Sequence, residues 1–124
     1  MQSELTLNVE GIKSIEGKIA ILVFNEANGF PENNENAVMK LVVDVTSSEM
    51  TIPLGKLPYG NYAIAIIHDK NSNKQFDKNI LGIPKEPFGF SNTEKIYFGP
   101  PSFSEAAITL NGEKNQAIIK LLEI

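Results

Sequence analysis

Apolar and polar residues alternate along most of this chain with a period of two, the spacing of strands that bury one face. Leu5, Leu7 and Val9 alternate with Thr6, Asn8 and Glu10, which predicts a first strand closed by Gly11. From Lys18 to Phe24 both faces are apolar, with Ile19, Ile21 and Val23 opposing Ala20, Leu22 and Phe24, as in a central strand. Met39, Leu41, Val43 and Val45 share one face of a third strand, and Met50, Ile52 and Leu54 one face of a fourth, with Thr46-Ser47-Ser48 as the turn between them. Leu57-Pro58-Tyr59-Gly60-Asn61-Tyr62 leads into a fifth, with Tyr62, Ile64, Ile66 and His68 on one side and Ala63, Ala65, Ile67 and Asp69 on the other. Further strands are expected at 96–98, 106–110 and 117–124. The last two are joined through Asn111-Gly112, a dipeptide that favours a hairpin. No window sustains a 3.6-residue period, so helix is minor. Residues 25–36, rich in Asn, Gly and Pro, read as a loop with one helical turn near its end.

About seven strands in 124 residues predict a single all-β domain over 1–124, an antiparallel β-sandwich of immunoglobulin-like or transthyretin-like type, with a closed barrel as the alternative. Ile19, Ile21, Val23, Leu41, Val43, Ile64, Ile66, Ile108 and Leu122 are the expected core. Composition narrows the function classes. The net charge of −4 and the scattered lysines provide no basic stripe for nucleic acid. No run approaches the roughly 20 apolar residues of a membrane helix. The absence of cysteine removes disulfides, thiol catalysis and thiolate metal sites. The start, MQSELTLNVEG, has neither the basic nor the apolar region of a signal peptide, so it reads either as a cytosolic start or as an exported protein with the peptide already removed.

The chemistry concentrates in residues 68–92, which follow the fifth strand and are too polar and too rich in Gly and Pro to be core. Asp69, Asn71, Asn73 and Asp77 stand in a D-x-N-x-N-x-x-x-D array, and Gln75 adds a carbonyl. Oxygen donors at alternate positions of a tight loop suit a hard cation, and calcium is the candidate cofactor. Lys74 and Ile80 stand where an EF-hand needs its glycine and its bidentate glutamate, so a site here is of the weak, millimolar type. The other reading is that Asp and Asn form Asx-turns that satisfy loop backbone. His68 is the only histidine, so a hydrolase of this sequence would use it with the loop carboxylates. No Gly-x-Ser-x-Gly elbow, phosphate loop, dinucleotide fingerprint or zinc spacing accompanies it. A packed histidine on the bulky face of a strand is the simpler reading. Phe30, Phe88 and Phe90 are aromatics in loops, which either staple the loop to the body or form a contact surface for a partner. A non-catalytic binding or structural module is the leading expectation and a hydrolase the alternative.

Several motifs together resemble the bacterial Domain of Unknown Function 2141 family. They are His68-Asp69-x-Asn71-x-Asn73-x-x-x-Asp77, Leu81-Gly82-Ile83-Pro84-Lys85-Glu86, Gly89-Phe90-Ser91-Asn92 and Phe98-Gly99-Pro100-Pro101-x-Phe103-x-x-Ala106, along with Gly29-Phe30-Pro31 and Leu57-Pro58-x-Gly60-x-Tyr62. The resemblance covers nearly the whole chain. It implies an exported bacterial protein, secreted or periplasmic, and it implies no activity; the expected partner is a protein or glycan of the cell envelope.

Overall fold

The computed structural model describes residues 1–31, 33–69, 87–92 and 101–122. Among them are eight strands in two sheets. In the first, β1 (Gln2–Glu10) lies between β4 (Met50–Pro58), which it pairs antiparallel, and β8 (Lys114–Lys120), which it pairs parallel. In the second, β2 (Lys18–Phe24) lies between β3 (Met39–Asp44) and β5 (Gly60–Asp69). The far edge of β5 is occupied by two short strands, β6 (Phe88–Phe90) and β7 (Ile108–Leu110).

The alternation in sequence becomes burial. Leu5, Leu7, Val9, Ile52, Leu54, Ala117 and Ile119 from the first sheet meet Ile19, Ile21, Val23, Ile64 and Ile66 from the second in one continuous core. Each such side chain taken from water stabilises by about 1.5–3 kcal/mol. The core is therefore shared between two facing sheets, as in a sandwich. The expected Leu41, Val43, Ile108 and Leu122 are only half-buried: β3 is an edge strand, β7 is three residues long, and Leu122 belongs to a second apolar cluster.

Four expectations need correction. First, the sandwich is not purely antiparallel, because β8 runs parallel to β1. Second, Asn111-Gly112 does not close a hairpin. Gly112 has φ +75°, but the turn carries the chain from β7 in one sheet to β8 in the other. Each strand finds an open neighbour elsewhere, β7 on β5 and β8 on β1. The crossing is tied by Glu4 N–H to Glu113 O (2.8 Å) and by Asn115 Nδ2 to Asn111 O (2.6 Å). Third, a short helix, α1 (Phe103–Ala106), stands where a strand was expected to begin at Ala106. Its capping box pairs the Ser102 hydroxyl with the Glu105 N–H and the Glu105 carboxylate with the Ser102 N–H. These bonds hold the Glu105 carboxyl below its ordinary pKa. Fourth, Phe88–Phe90, read as loop, is strand. The strand expected at 96–98 lies outside the described residues, and the helical turn expected late in 25–36 is the 3-10 turn Asn34–Asn36.

One residue, Tyr59, separates β4 in the first sheet from β5 in the second, so the chain turns sharply between layers. Gly60, at φ +155°, gives the backbone the freedom to do this. The buried Tyr62 hydroxyl then reaches back and donates to Pro58 O at 2.6 Å, in the manner of the tyrosine corners of β-sandwich domains.

Tyr62→Phe leaves the Pro58 carbonyl without this donor and should lower unfolding stability by about 1–2 kcal/mol in urea titration. Burial raises the Tyr62 pKa above the ordinary 10.0. The folded form thus favours the protonated phenol, and the stabilisation is lost as pH climbs from the unfolded value through the raised folded value. The phenylalanine variant should lose this alkaline step.

Candidate functional site

β5 delivers His68 and Asp69, the first two residues of the chemistry-bearing segment, at its C-terminal end. The pleat sends them to opposite faces. His68 points into the core beside its partner Ile19 and is fully buried. Its Nε2 lies 2.7 Å from the carbonyl oxygen of Glu16, which can only accept, so Nε2 carries the proton and donates. Nδ1 is buried and has no hydrogen-bond partner among the described residues. The ring thereby fastens the turn before β2 to the end of β5.

Asp69 lies on the outer face, directly opposite Lys18, and Lys18 lies opposite Asp44. Three strands thus align acid, base and acid in one row. The Lys18 ammonium reaches the Asp44 carboxylate at 2.6 Å, an exposed pair of small energetic weight. Asp69 is only 2% exposed, a position in which a carboxylate requires compensation by donors or by positive charge. The other members of the array, Asn71, Asn73, Gln75 and Asp77, lie outside the described residues.

Above the same outer face sits the aromatic cluster. Ala65, Phe88 and Phe90 are its buried members, with Phe30, Ile67 and Leu122 packed against them. Phe30 is the hub. Its ring centroid lies 5.2 Å from that of Phe24, 6.1 Å from Phe90 and 6.1 Å from Phe103, each edge to face. Phe88 and Phe90 are 5.7 Å apart. Edge-to-face pairs of this kind contribute roughly 0.5–1.5 kcal/mol beyond the area they bury. The small residues Ala63 and Ala65 on β5 make room for the rings. The three phenylalanines singled out in the sequence therefore meet one another, and two of them are covered by the chain itself.

Two features that sequence reasoning passed over hold the segment in place. Gly89 sits where β6 touches β8: a Cβ there would lie 2.6 Å from Ile119 Cγ2 and 3.1 Å from Lys120 O. Phe88 and Leu122 exchange backbone bonds beside it, Phe88 N–H to Leu122 O at 3.1 Å and Leu122 N–H to Phe88 O at 2.7 Å. Ser91 is the second feature. Its hydroxyl accepts from Ile64 N–H at 2.9 Å and donates to Ala106 O at 2.6 Å, while its own N–H donates to Ile64 O at 2.9 Å. One side chain thus stands in for a strand partner of β5 and anchors the end of α1. Asn92, at φ +53°, turns the chain away and donates to Glu105 O at 3.1 Å. The Phe-Gly-Phe-Ser-Asn spacing was the available signal, with alternate aromatics around a glycine and then turn-formers.

The family model described as "Uncharacterized protein conserved in bacteria (DUF2141)" matches residues 7–119. No curated protein and no solved structure matches the chain.

Ser91→Ala deprives a buried N–H and a buried carbonyl of their partner at once. It should cost about 2–4 kcal/mol by denaturant titration, roughly twice the 1–3 kcal/mol of one unsatisfied group at the low end. Gly89→Ala should destabilise comparably, because backbone at Lys120 cannot yield as a flexible side chain would.

Proposed function

We propose that this chain, which belongs to the uncharacterized bacterial family DUF2141, is a non-catalytic extracytoplasmic module that binds a protein or glycan of the cell envelope or serves a structural role there. Its working surface is the loop around Phe30 together with the segment 87–92 against which Phe30 packs. The observation that carries this reading is the placement of His68. The single imidazole of the chain is fully buried and is spent on the Glu16 carbonyl, a structural use that leaves it away from any substrate in solvent. A hydrolase working through His68 and the loop carboxylates would need that ring at the surface. The exported location is the one the family resemblance implies.

Phe30 supports the binding reading in part. It is half-buried, as is Phe103, so its ring packs on the covered Phe24 and Phe90 and still keeps part of its surface in solvent. Phe88 and Phe90 support it indirectly, by giving that ring a rigid seat. A rigid β scaffold that presents loops is a common way to build a recognition surface.

Calcium belongs to the same reading. Asp69, Asn71, Asn73 and Asp77, with the carbonyl of Gln75, are the proposed ligands of a weak site that fixes the loop without taking part in chemistry. The burial of Asp69 at the end of β5 supports it, since a divalent cation adds positive charge where a buried carboxylate favours it.

Calcium at ten times its Kd should add about 1.4 kcal/mol of stability and raise the melting temperature by roughly 5 °C. Asp69→Asn should abolish the rise. A melting temperature equally unmoved by millimolar calcium in both proteins would reduce the array to a turn. A hydrolase screen in which turnover disappears with His68→Ala would overturn the non-catalytic reading.

A further inference from the structure

β3 is the free edge of the larger sheet, bonded to β2 on one side only among the described residues. Its pairing phase shows which backbone groups are left over. Val45 N–H donates to the carbonyl of Gly17, its partner in the β2–β3 register, at 3.1 Å. Counting back in that register, Val43, Leu41 and Met39 turn their N–H and C=O groups toward β2, while Lys40, Val42 and Asp44 turn theirs outward. The outward groups form a row ready to accept another strand.

The side chains on this row are self-complementary. Lys40, Val42 and Asp44 lie on the outer face and are exposed, with Val42 at 50%. In an antiparallel pairing of two copies centred on Val42, Val42 faces the partner's Val42, Lys40 faces the partner's Asp44 and Asp44 faces the partner's Lys40. On the inner face Leu41 faces the partner's Val43. These inner residues are only half-buried in one chain, at the lateral opening of the core. The Lys18 ammonium engages Oδ1 of Asp44, leaving Oδ2 to accept a second lysine. Moving the centre by one residue either way places a charge opposite valine, so the charge pattern selects one register.

We propose that the chain forms a two-fold homodimer by pairing β3 with β3 of a second copy about Val42, joining the two larger sheets into one. The same patch serves both subunits, as a two-fold interface requires. Six-residue strands make a small contact, so the dimer is weak, with a dissociation constant roughly in the micromolar range or above.

Sedimentation equilibrium of the full chain, from micromolar to millimolar concentration, tests this. Wild type should dimerise, and Lys40→Asp and Asp44→Lys should each weaken dimerisation about tenfold or more, because each replaces two attractive cross-strand pairs with repulsive ones. Mixed in equal amounts, the two variants should form a heterodimer, since the aspartate introduced in one then faces the lysine introduced in the other. Val42→Pro removes an outward N–H that β2 does not use and should give a folded monomer. A wild type monomeric at millimolar concentration overturns the proposal. So does a dimer untouched by the charge changes, or a mixture that associates no better than its components.

Discussion

A ten-residue strand in the middle of a sheet has two rows of backbone N–H and C=O groups, and in a dry interior neither row can be left unbonded. β5 is that strand here. β2 bonds one edge over seven of the ten residues, from Ala63 to Asp69. The other edge has no single partner. β7 bonds it at Gly60 to Tyr62, Ser91 at Ile64, β6 at Ala65 to Ile67, and the Pro87 carbonyl at His68 N–H (2.8 Å). Two stretches of chain, residues 87–91 and 108–110, complete one row between them.

The candidate site follows from this arrangement. Because the edge is completed piecewise, residues 87–91 meet one stretch of β5 and β7 meets another. The attachment points of the chemistry-bearing segment are thus backbone bonds of the central strand. Phe88 and Phe90 return with β6 onto the face that Ala63 and Ala65 keep low, and Phe30 closes over them from the β2–β3 connection. On the opposite face His68 links the end of β5 to the turn before β2. Residues that look chemical in isolation are here the fasteners of a loop-bearing end.

Much of this was legible in the residues themselves. Period-two alternation located β1 to β5 to within a few positions, since each buries at least one face over six or more residues. The Leu-Pro-x-Gly-x-Tyr signature marked the corner that Tyr62 closes. Short elements were not legible. β6 is three residues long, and its alternation is hidden by Gly89, whose role is to let β8 approach; no pattern within the segment encodes a neighbour that distant. The Asn111-Gly112 turn misled because a turn type records local dihedrals, whereas the partner of each flanking strand is set by which edges remain open. Ser102-x-x-Glu105 was a readable capping box. For Asn71, Asn73, Gln75 and Asp77 the reading still rests on spacing alone.

Native-state hydrogen exchange on the amides of Ile64 and His68 tests the central claim most directly. If the far edge of β5 is an integral part of the scaffold, both amides, held by Ser91 Oγ and Pro87 O, will exchange only through global unfolding, with the same free energy as the β2 amides of Ala20 and Leu22. Exchange at these two positions several kcal/mol more readily than in β2 would contradict the account, because the returning segment would then open on its own while the sandwich stayed folded.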